Sequence, residues 1–200
     1  MHSAINYKRT IFHVCGGMFG MLVALTFPFP EILVISSTFF GIALIIEVMR
    51  NRSLSFHDEF VSKFGMLMKP TERGTVLGFT WTVGATLLLS FLQDFRPMAV
   101  GMLVWTFADP MAMLAGRLLP NTRRLAEGKT LEGTIAFFLT ATLVAALFLI
   151  TVTTKHPVYV MAPVIGAAGA FVELISRQIK IDDNFSIPLV AGLVTYFLVI

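Results

Sequence analysis

The most informative segment of the chain runs from Ala108 to Phe138 and reads ADPMAMLAGRLLPNTRRLAEGKTLEGTIAFF. Its first charged residue, Asp109, lies inside an apolar run from Met98 to Leu119. A carboxylate at such a depth in a bilayer costs about 2.5–3.5 kcal/mol, so its presence requires an explanation. Pro110 disfavours a helical conformation at Asp109 and is well suited to begin a new helix. We therefore predict a membrane helix that is broken at this point.

Basic residues, glycines and hydroxyl or acidic groups follow Asp109. They are Gly116, Arg117, Arg123, Arg124, Lys129, Thr130, Glu132 and Gly133. Such a mixture suits a polyphosphate and a metal ion, so a nucleotide fits it better than a sugar. The segment is not a P-loop, because the position five residues before Gly128 is Arg123 and the preceding segment is a membrane helix instead of a strand.

The composition places the whole chain in a membrane. Hydrophobic residues make up 56% and charged residues only 14% of the 200 positions, and the mean hydropathy is +0.81. Because about 20 apolar residues cross a bilayer, we predict an all-α, polytopic membrane protein forming one domain over residues 1–200. The seven predicted spans are Ile11–Phe27, Ile32–Ile46, Thr75–Leu92, Met98–Leu119, Leu131–Val152, Val158–Ile175 and Ile187–Ile200.

The distribution of charge predicts the orientation. Thirteen of the 15 Lys and Arg residues lie in the N-terminal tail and every second loop, which places the N-terminus and that face in the cytoplasm of a cell (inner) membrane protein. Ten of the 12 acidic residues lie there as well, and topology alone does not require them. We therefore expect the active face on the cytoplasmic side.

Three smaller features lie outside the central stretch. Glu47 and Arg50, and Glu173 and Arg177, have the spacing of ion pairs at the border of a span, which is the interpretation that we favour for Glu47. His13 lies inside the first span, where a structural and a functional role are equally open. The apolar positions between Ser53 and Met68 recur at helical spacing, which predicts an interfacial amphipathic helix.

Asp182, Asp183 and Asn184 form a second acidic segment after the sixth span. Their hard oxygen atoms suit Mg²⁺ held jointly with substrate phosphates. On their own they would more often form a turn, but they lie on the same predicted face as Asp109 and Lys129. Asp109 itself could merely cap the helix that begins at Pro110, although capping does not require a carboxylate at this depth.

Several motifs, in this order, resemble the membrane lipid-kinase family that includes dolichol kinase, phytol kinase and the CTP-dependent diacylglycerol kinase. They are RTIFH from Arg9 to His13, EVMR from Glu47 to Arg50, LMKPTERG around Glu72, ADPMAMLAGR, EGKTLEGTIAFF and DDNFSIPL. The resemblance covers nearly the whole chain. It implies transfer of the γ-phosphate of CTP, or of ATP, to the hydroxyl of a membrane lipid alcohol, with Mg²⁺ as cofactor and without a nucleic-acid partner.

The resemblance and the residues together suggest a division of roles. Arg9, Arg117 and Lys129, with Arg123 or Arg124, would bind the triphosphate. Asp182, Asp183 and Asn184 would bind Mg²⁺, while Asp109 would bind metal or act as general base. Two alternatives stay open, namely a CTP-dependent cytidylyltransferase acting on phosphatidate and a small transporter that uses the buried charges as a substrate pathway.

Overall fold

The computed structural model describes residues 6–120, 122–126, 128–152, 154 and 156–199. Within these ranges the chain forms eight α-helices, a 3-10 turn at Pro70–Arg73 and a two-stranded antiparallel hairpin. The helices are α1 (Tyr7–Thr26), α2 (Phe29–Arg52), α3 (Leu54–Phe64), α4 (Gly78–Ser90), α5 (Phe95–Leu118), α6 (Leu131–Leu149), α7 (Val158–Ile175) and α8 (Asp183–Val199). The hairpin consists of β1 (Arg124–Ala126) and β2 (Lys129–Thr130). The predicted all-α fold class is confirmed.

Each predicted span corresponds to one helix of the structure. Five helices, namely α1, α2, α5, α6 and α7, are long and apolar enough to cross a membrane. The other two, α4 and α8, are also apolar but shorter, with 13 and 17 residues. Large apolar side chains cover much of the outer surface, as expected where lipid replaces water. The protein is therefore a multi-pass membrane protein by the length and composition of its helices.

Helix α5 lies at the centre of the bundle and packs against α1, α6 and α8. Its residues Val100, Val104 and Ala108 are completely buried. At Gly101 the backbone of α8 approaches so closely that a Cβ atom would come within 2.4 Å of the Pro188 carbonyl oxygen. This small residue lets two helices approach to backbone contact, which is how helices commonly associate within a bilayer.

The predicted break at Asp109 and Pro110 is wrong. Helix α5 runs without interruption from Phe95 to Leu118, with Pro110 inside it. An internal proline removes one backbone hydrogen bond and crowds the carbonyl one turn earlier, here that of Thr106. Thr106 is fully buried beneath neighbouring helices, and a span tolerates proline where its neighbours hold the helix in place. Tertiary packing therefore overrides the local preference of Pro110.

The predicted amphipathic helix is present as α3. Phe56, Phe60 and Phe64 form a row along it, with ring centroids 6.1 and 4.9 Å apart. The guanidinium of Arg50, at the end of α2, lies 5.4 Å from the Phe60 ring centroid and forms a cation–π contact. No residue of α3 is fully buried, so this helix lies against the bundle through one face only.

Candidate functional site

A cavity of about 660 Å³ opens at one end of the bundle. The elements around it are the start of α1, the 3-10 turn, the end of α5, the hairpin, the end of α7 and the start of α8. Most of the predicted site residues line it, namely Arg9, Asp109, Gly116, Arg117, Lys129, Thr130, Gly133, Glu173, Asp182 and Asp183. Segments far apart in the sequence thus supply side chains to one charged cavity.

Asp109 projects from α5 into this cavity and is partly buried. Within the described ranges its carboxylate makes neither a hydrogen bond nor an ion pair with any side chain. Because α5 is continuous, no helix begins at Pro110, and the alternative that Asp109 only caps a helix is wrong. A carboxylate without a partner, within a membrane helix and facing a cavity, is available to a ligand.

Lys69 joins the 3-10 turn to the start of α8. Its ammonium donates to the carboxylates of Asp183, at 2.5 Å, and Asp182, at 3.4 Å. Asp182 also caps α8, since its Oδ1 accepts the backbone N–H of Asn184 at 2.9 Å. Burial raises the pKa of Asp182, and it outweighs the opposing effect of Lys69. Burial also favours a lower pKa for Lys69, but Asp183, Asp182 and Asp109 together raise that pKa above its ordinary value.

Lys129 provides the second buried ion pair of the cavity. The hairpin turns at Gly128, whose φ of +70° is strained for other residues, and places Lys129 on the inner side. The Lys129 ammonium donates to Glu173 on α7 and lies 3.7 Å from a carboxylate oxygen of Asp183. The predicted pair between Glu173 and Arg177 is therefore wrong. The Arg177 guanidinium packs instead against Gly128, where a Cβ atom would meet its nitrogen.

Three arginines of the cavity have no acidic partner. Arg9, Arg117 and Arg177 line it, and in the part of the chain that the structure describes their guanidinium groups form no salt bridge or hydrogen bond. The two lysines, in contrast, are neutralised by three of the four acidic side chains. The cavity therefore offers unpaired guanidinium groups on its walls, an arrangement that attracts a polyanion such as a triphosphate.

Four of the predicted nucleotide- and metal-binding residues lie away from the cavity. Asn184 is buried, and its amide oxygen accepts a hydrogen bond from the indole N–H of Trp105 at 3.1 Å. Arg123 and Arg124 are exposed on the hairpin, while the Glu132 carboxylate accepts the backbone N–H of Arg123 at 2.9 Å. Glu132 therefore holds the hairpin to α6, and the structure does not bring these four residues together with the others.

Glu47, Arg50 and Glu72 form a buried network behind Lys69. Arg50 donates to the Glu47 carboxylate at 3.0 Å and to the Glu72 carbonyl at 2.7 Å. The Glu72 carboxylate accepts the backbone N–H of Lys69 at 3.1 Å, and burial raises the pKa of Glu72. The predicted pair between Glu47 and Arg50 thus exists. It is buried within the protein, however, instead of lying at an exposed border, and it holds the turn that presents Lys69.

His13 lies beside the main cavity, on the wall of a second one. Its Nε2 lies 3.0 Å from the backbone carbonyl oxygen of Trp105, to which it donates, and its ring packs on the Trp105 ring with centroids 3.9 Å apart. The second cavity has a volume of about 340 Å³ and lies between α1, residues 65–73 and α5. His13 therefore both fastens α1 to α5 and faces open space.

Asp182 and Asp183 provide carboxylate oxygens, the kind of ligand that Mg²⁺ prefers. The described ranges contain no group of three or more His, Cys, Asp or Glu side chains arranged to hold a metal ion. Mg²⁺, however, is commonly bound by one or two carboxylates and completed by water and substrate phosphates. Asp182 and Asp183 are adjacent, face the cavity and are neutralised there by Lys69, so their chemistry fits such a partial site.

The sequence analysis did not assign two cationic residues to the site. They are Lys69 and Arg177, and both line the cavity. Lys69 lies in the LMKPTERG segment, where three charged residues, a proline and a glycine separate the amphipathic helix from the next apolar helix. That density of charge was the available signal. For Arg177 no such signal exists, because its position over Gly128 depends on the fold of the hairpin.

The fold and the cavity define an all-α, multi-pass membrane protein with a charged site at one end. No family model matches the chain, and no solved structure matches it. It is 26% identical over 189 residues to an uncharacterized protein of Methanocaldococcus jannaschii, covering 94% of this chain and 91% of that protein. It is 27% identical over 187 residues to an uncharacterized protein of Rickettsia prowazekii, covering 91% and 89% respectively.

A third relative has a named activity. The chain is 26% identical over 170 residues to the CTP-dependent diacylglycerol kinase 1 of Eremothecium gossypii. The match covers 75% of this chain and 53% of that protein. The protein is thus distantly similar to a CTP-dependent lipid kinase.

Proposed function

We propose that the protein is a lipid kinase that transfers the γ-phosphate of CTP, or of ATP, to the hydroxyl of a membrane lipid. The observation that carries this proposal is the pairing pattern of the cavity. Asp109, Arg9, Arg117 and Arg177 line one space and form no salt bridge among the described residues. The other charged side chains of the cavity, two lysines and three carboxylates, are joined in ion pairs. The distant similarity to a CTP-dependent diacylglycerol kinase points to the same chemistry.

The unpaired arginines suit the triphosphate. Phosphoryl transfer depends mainly on positioning the reactants and neutralising the charge of the phosphates. Arg9, Arg117 and Arg177 come from three separate helices or helix ends, so a bound triphosphate would be held from several sides. Lys129 also lines the cavity, and its ammonium forms an ion pair with Glu173. We assign the nucleotide to these four residues.

Asp182 and Asp183 are the residues that would hold Mg²⁺. When bound, this ion neutralises and orients phosphate oxygens. Asp183 reaches both lysines of the cavity, since its two carboxylate oxygens lie 2.5 Å from Lys69 and 3.7 Å from Lys129. The two lysines are thus shared among Asp182, Asp183 and Glu173.

Asp109 is assigned to the acceptor hydroxyl. A general base needs a carboxylate within reach of the substrate and not already committed to an ion pair. Asp109 meets the second condition and faces both cavities. We propose that it accepts the proton of the lipid hydroxyl as that oxygen attacks the γ-phosphorus and the nucleoside diphosphate leaves. The charge distribution of the loops supports a cytoplasmic position for this chemistry.

The proposal can be tested with purified protein in vesicles of phosphatidylcholine. Dioleoylglycerol, phytol and a long polyprenol serve as acceptors, and CTP or ATP carries the radiolabel either on the γ- or on the α-phosphate. A kinase places the γ-label in the lipid and releases the nucleoside diphosphate. Transfer of the α-label with release of pyrophosphate would identify a cytidylyltransferase instead, and no transfer to any lipid would refute both.

Asp109→Asn provides the residue-level test. The amide keeps the size of the side chain but is not a base, so we expect turnover to fall at least about 10²-fold with little change in thermal stability. Asp94→Asn is the matched control. Asp94 caps the opposite end of the same helix, and asparagine caps about as well as aspartate, so its activity should be unchanged. A fully active Asp109→Asn enzyme would contradict the assignment.

A further inference from the structure

The second cavity, of about 340 Å³, is a distinct space beside the nucleotide site. Its walls are the first two turns of α1, residues 65–73 and the C-terminal half of α5. It shares only the strip formed by Arg9, Pro70, Asp109, Met113 and Arg117 with the larger cavity. Asp109 therefore stands at the junction and can face a group in either space.

The two cavities differ in their chemistry. Both lysine–carboxylate pairs of the site belong to the larger cavity alone. Among the described residues, Asp109 is the single carboxylate on the wall of the smaller one. Of its three arginines, Arg9 and Arg117 belong to the shared strip and only Arg73 is its own, while Thr10, His13 and Met68 are uncharged wall residues that it does not share. Its volume suits a hydroxyl-bearing headgroup and the first few carbons of a chain. A complete nucleoside triphosphate with its metal ion fits the larger, more charged cavity better.

The surroundings of the smaller cavity face lipid. Helix α1 packs mainly on α5, through His13, Gly17 and Gly20. Its other contacts are few: Phe19 lies against Phe39 of α2, with ring centroids 5.9 Å apart, and the Asn6 amide at its start donates to the Met66 carbonyl at 2.7 Å. Ile11 and Phe12, which lie between the lining residues Thr10 and His13, are 62% and 48% exposed. On the opposite rim Phe64 and Met66 adjoin the lining residue Gly65 and are 46% and 51% exposed. Apolar side chains thus flank the cavity on both sides.

We propose that the smaller cavity is the chamber of the lipid alcohol, and that the alcohol reaches it sideways from the bilayer. The entrance lies between α1 and residues 64–68, on the Thr10 and His13 side of the Asn6–Met66 hydrogen bond that joins these two segments. This inference rests on the proposed kinase function. The hydroxyl lies at Asp109, facing the phosphates in the larger cavity, while the chain stays among the exposed apolar side chains of α1 and the end of α3. The substrate is accordingly a lipid whose small, uncharged headgroup carries a free hydroxyl. A bulky headgroup would exceed the volume of the smaller cavity.

Two threonines provide a matched pair of test positions. Thr10 lines only the smaller cavity and Thr134 only the larger one. Each lies in the first turn of its helix, with its hydroxyl donating to the carbonyl four residues earlier, at 3.2 and 3.0 Å. Thr10→Phe therefore fills one chamber and Thr134→Phe the other, with the same loss of a local hydrogen bond. Thr10→Leu is a smaller second variant in case phenylalanine prevents folding.

We expect Thr10→Phe to raise the KM for the lipid alcohol at least about 10-fold and to leave the KM for CTP unchanged. Thr134→Phe should do the reverse. The acceptors are the dioleoylglycerol, phytol and polyprenol vesicles described above. If the Thr10 variants instead raise the KM for CTP, raise both KM values together, or change neither, the chamber assignment is overturned while the kinase activity stands.

A binding measurement separates this inference from the proposed function. The photoreactive residue p-benzoylphenylalanine replaces Thr10 or, as a control for bulk lipid, Phe19, which is 51% exposed on α1. Vesicles contain radiolabelled dioleoylglycerol and phosphatidylcholine in known proportion. Enrichment of dioleoylglycerol at position 10 over position 19 supports the chamber even if no lipid is phosphorylated. Equal labelling in proportion to the vesicle composition at both positions overturns it.

Discussion

Removing the Glu47 carboxylate should destabilise the protein far more than removing an exposed glutamate. Glu47 lies at the end of α2 and is only 7% exposed. Its Oε2 accepts from the Arg50 guanidinium at 3.0 Å. Its Oε1 accepts from the backbone N–H of Leu77 at 2.7 Å and the hydroxyl of Thr80 at 2.9 Å. Glu47→Ala therefore leaves a buried arginine and the start of α4 without their partner.

The expected loss follows from the buried charge. Breaking one side of a buried ion pair typically costs about 3–5 kcal/mol, because the remaining ion is left uncompensated. Arg50 would keep only the hydrogen bond to the Glu72 carbonyl, at 2.7 Å, and the cation–π contact with Phe60, and its Nε already lacks a hydrogen-bond partner among the described residues. Glu47→Gln retains an acceptor for Leu77 and Thr80 but not the charge. We expect it to cost less, about 1–3 kcal/mol.

Glu59→Ala is the matched control. Glu59 also pairs with a basic residue on its own helix, Lys63, at 2.5 Å, but these side chains are 62% and 64% exposed. Exposed pairs contribute little, so its unfolding should match that of the wild type. The measurement is equilibrium unfolding in mixed detergent micelles, followed by circular dichroism. A Glu47→Ala protein as stable as Glu59→Ala would refute the view that the buried network supports the fold.

Three further predictions concern metal, pH and orientation. Asp183→Ala should raise the Mg²⁺ concentration needed for half-maximal turnover, and an unchanged Mg²⁺ dependence would remove this residue from the metal site. Because burial raises the pKa of Glu72, its contribution to stability is complete below its ordinary pKa and is lost as the pH rises through the higher folded value. Relative to Glu72→Gln, the wild type should therefore lose thermal stability as the pH rises above the ordinary glutamate pKa of 4.5, whereas parallel curves would contradict the argument. In a Cys15→Ala background, membrane-impermeant reagents should label Arg124→Cys only from the cytoplasm and His156→Cys only from outside, and the opposite pattern would reverse the orientation.

Much of the fold was predictable because apolar runs of membrane length have few alternatives. Every predicted span overlaps one helix of the structure, and the amphipathic pattern after Ser53 forms α3. Alternate loops of such a bundle meet at one end, which is why Asp109, Lys129 and Asp183 come together at one cavity. Local sequence failed at Pro110, where packing around α5 decides the conformation instead of the preference of the proline.

The partners of charged side chains were less predictable. Helical spacing favoured a pair between Glu173 and Arg177, but the hairpin brings Lys129 to Glu173 from 44 positions away. Lys69 likewise reaches Asp183 from 114 positions away. Such pairs depend on the relative positions of whole helices, about which spacing within one helix carries no information.

The distinction between paired and unpaired charges explains why this end of the bundle is charged at all. Lys69 with Asp183, and Lys129 with Glu173, join segments that are distant in sequence, so these charges have a structural use. Four other charged groups form no ion pair or side-chain hydrogen bond among the described residues, yet each lines the cavity. They are those of Arg9, Arg117, Arg177 and Asp109. Ionised groups within or beside membrane helices are costly unless something compensates them. Phosphate groups would neutralise the three arginines, and Asp109 would accept the proton of a hydroxyl group. The proposed substrates, a nucleotide and a lipid alcohol, would together supply both groups.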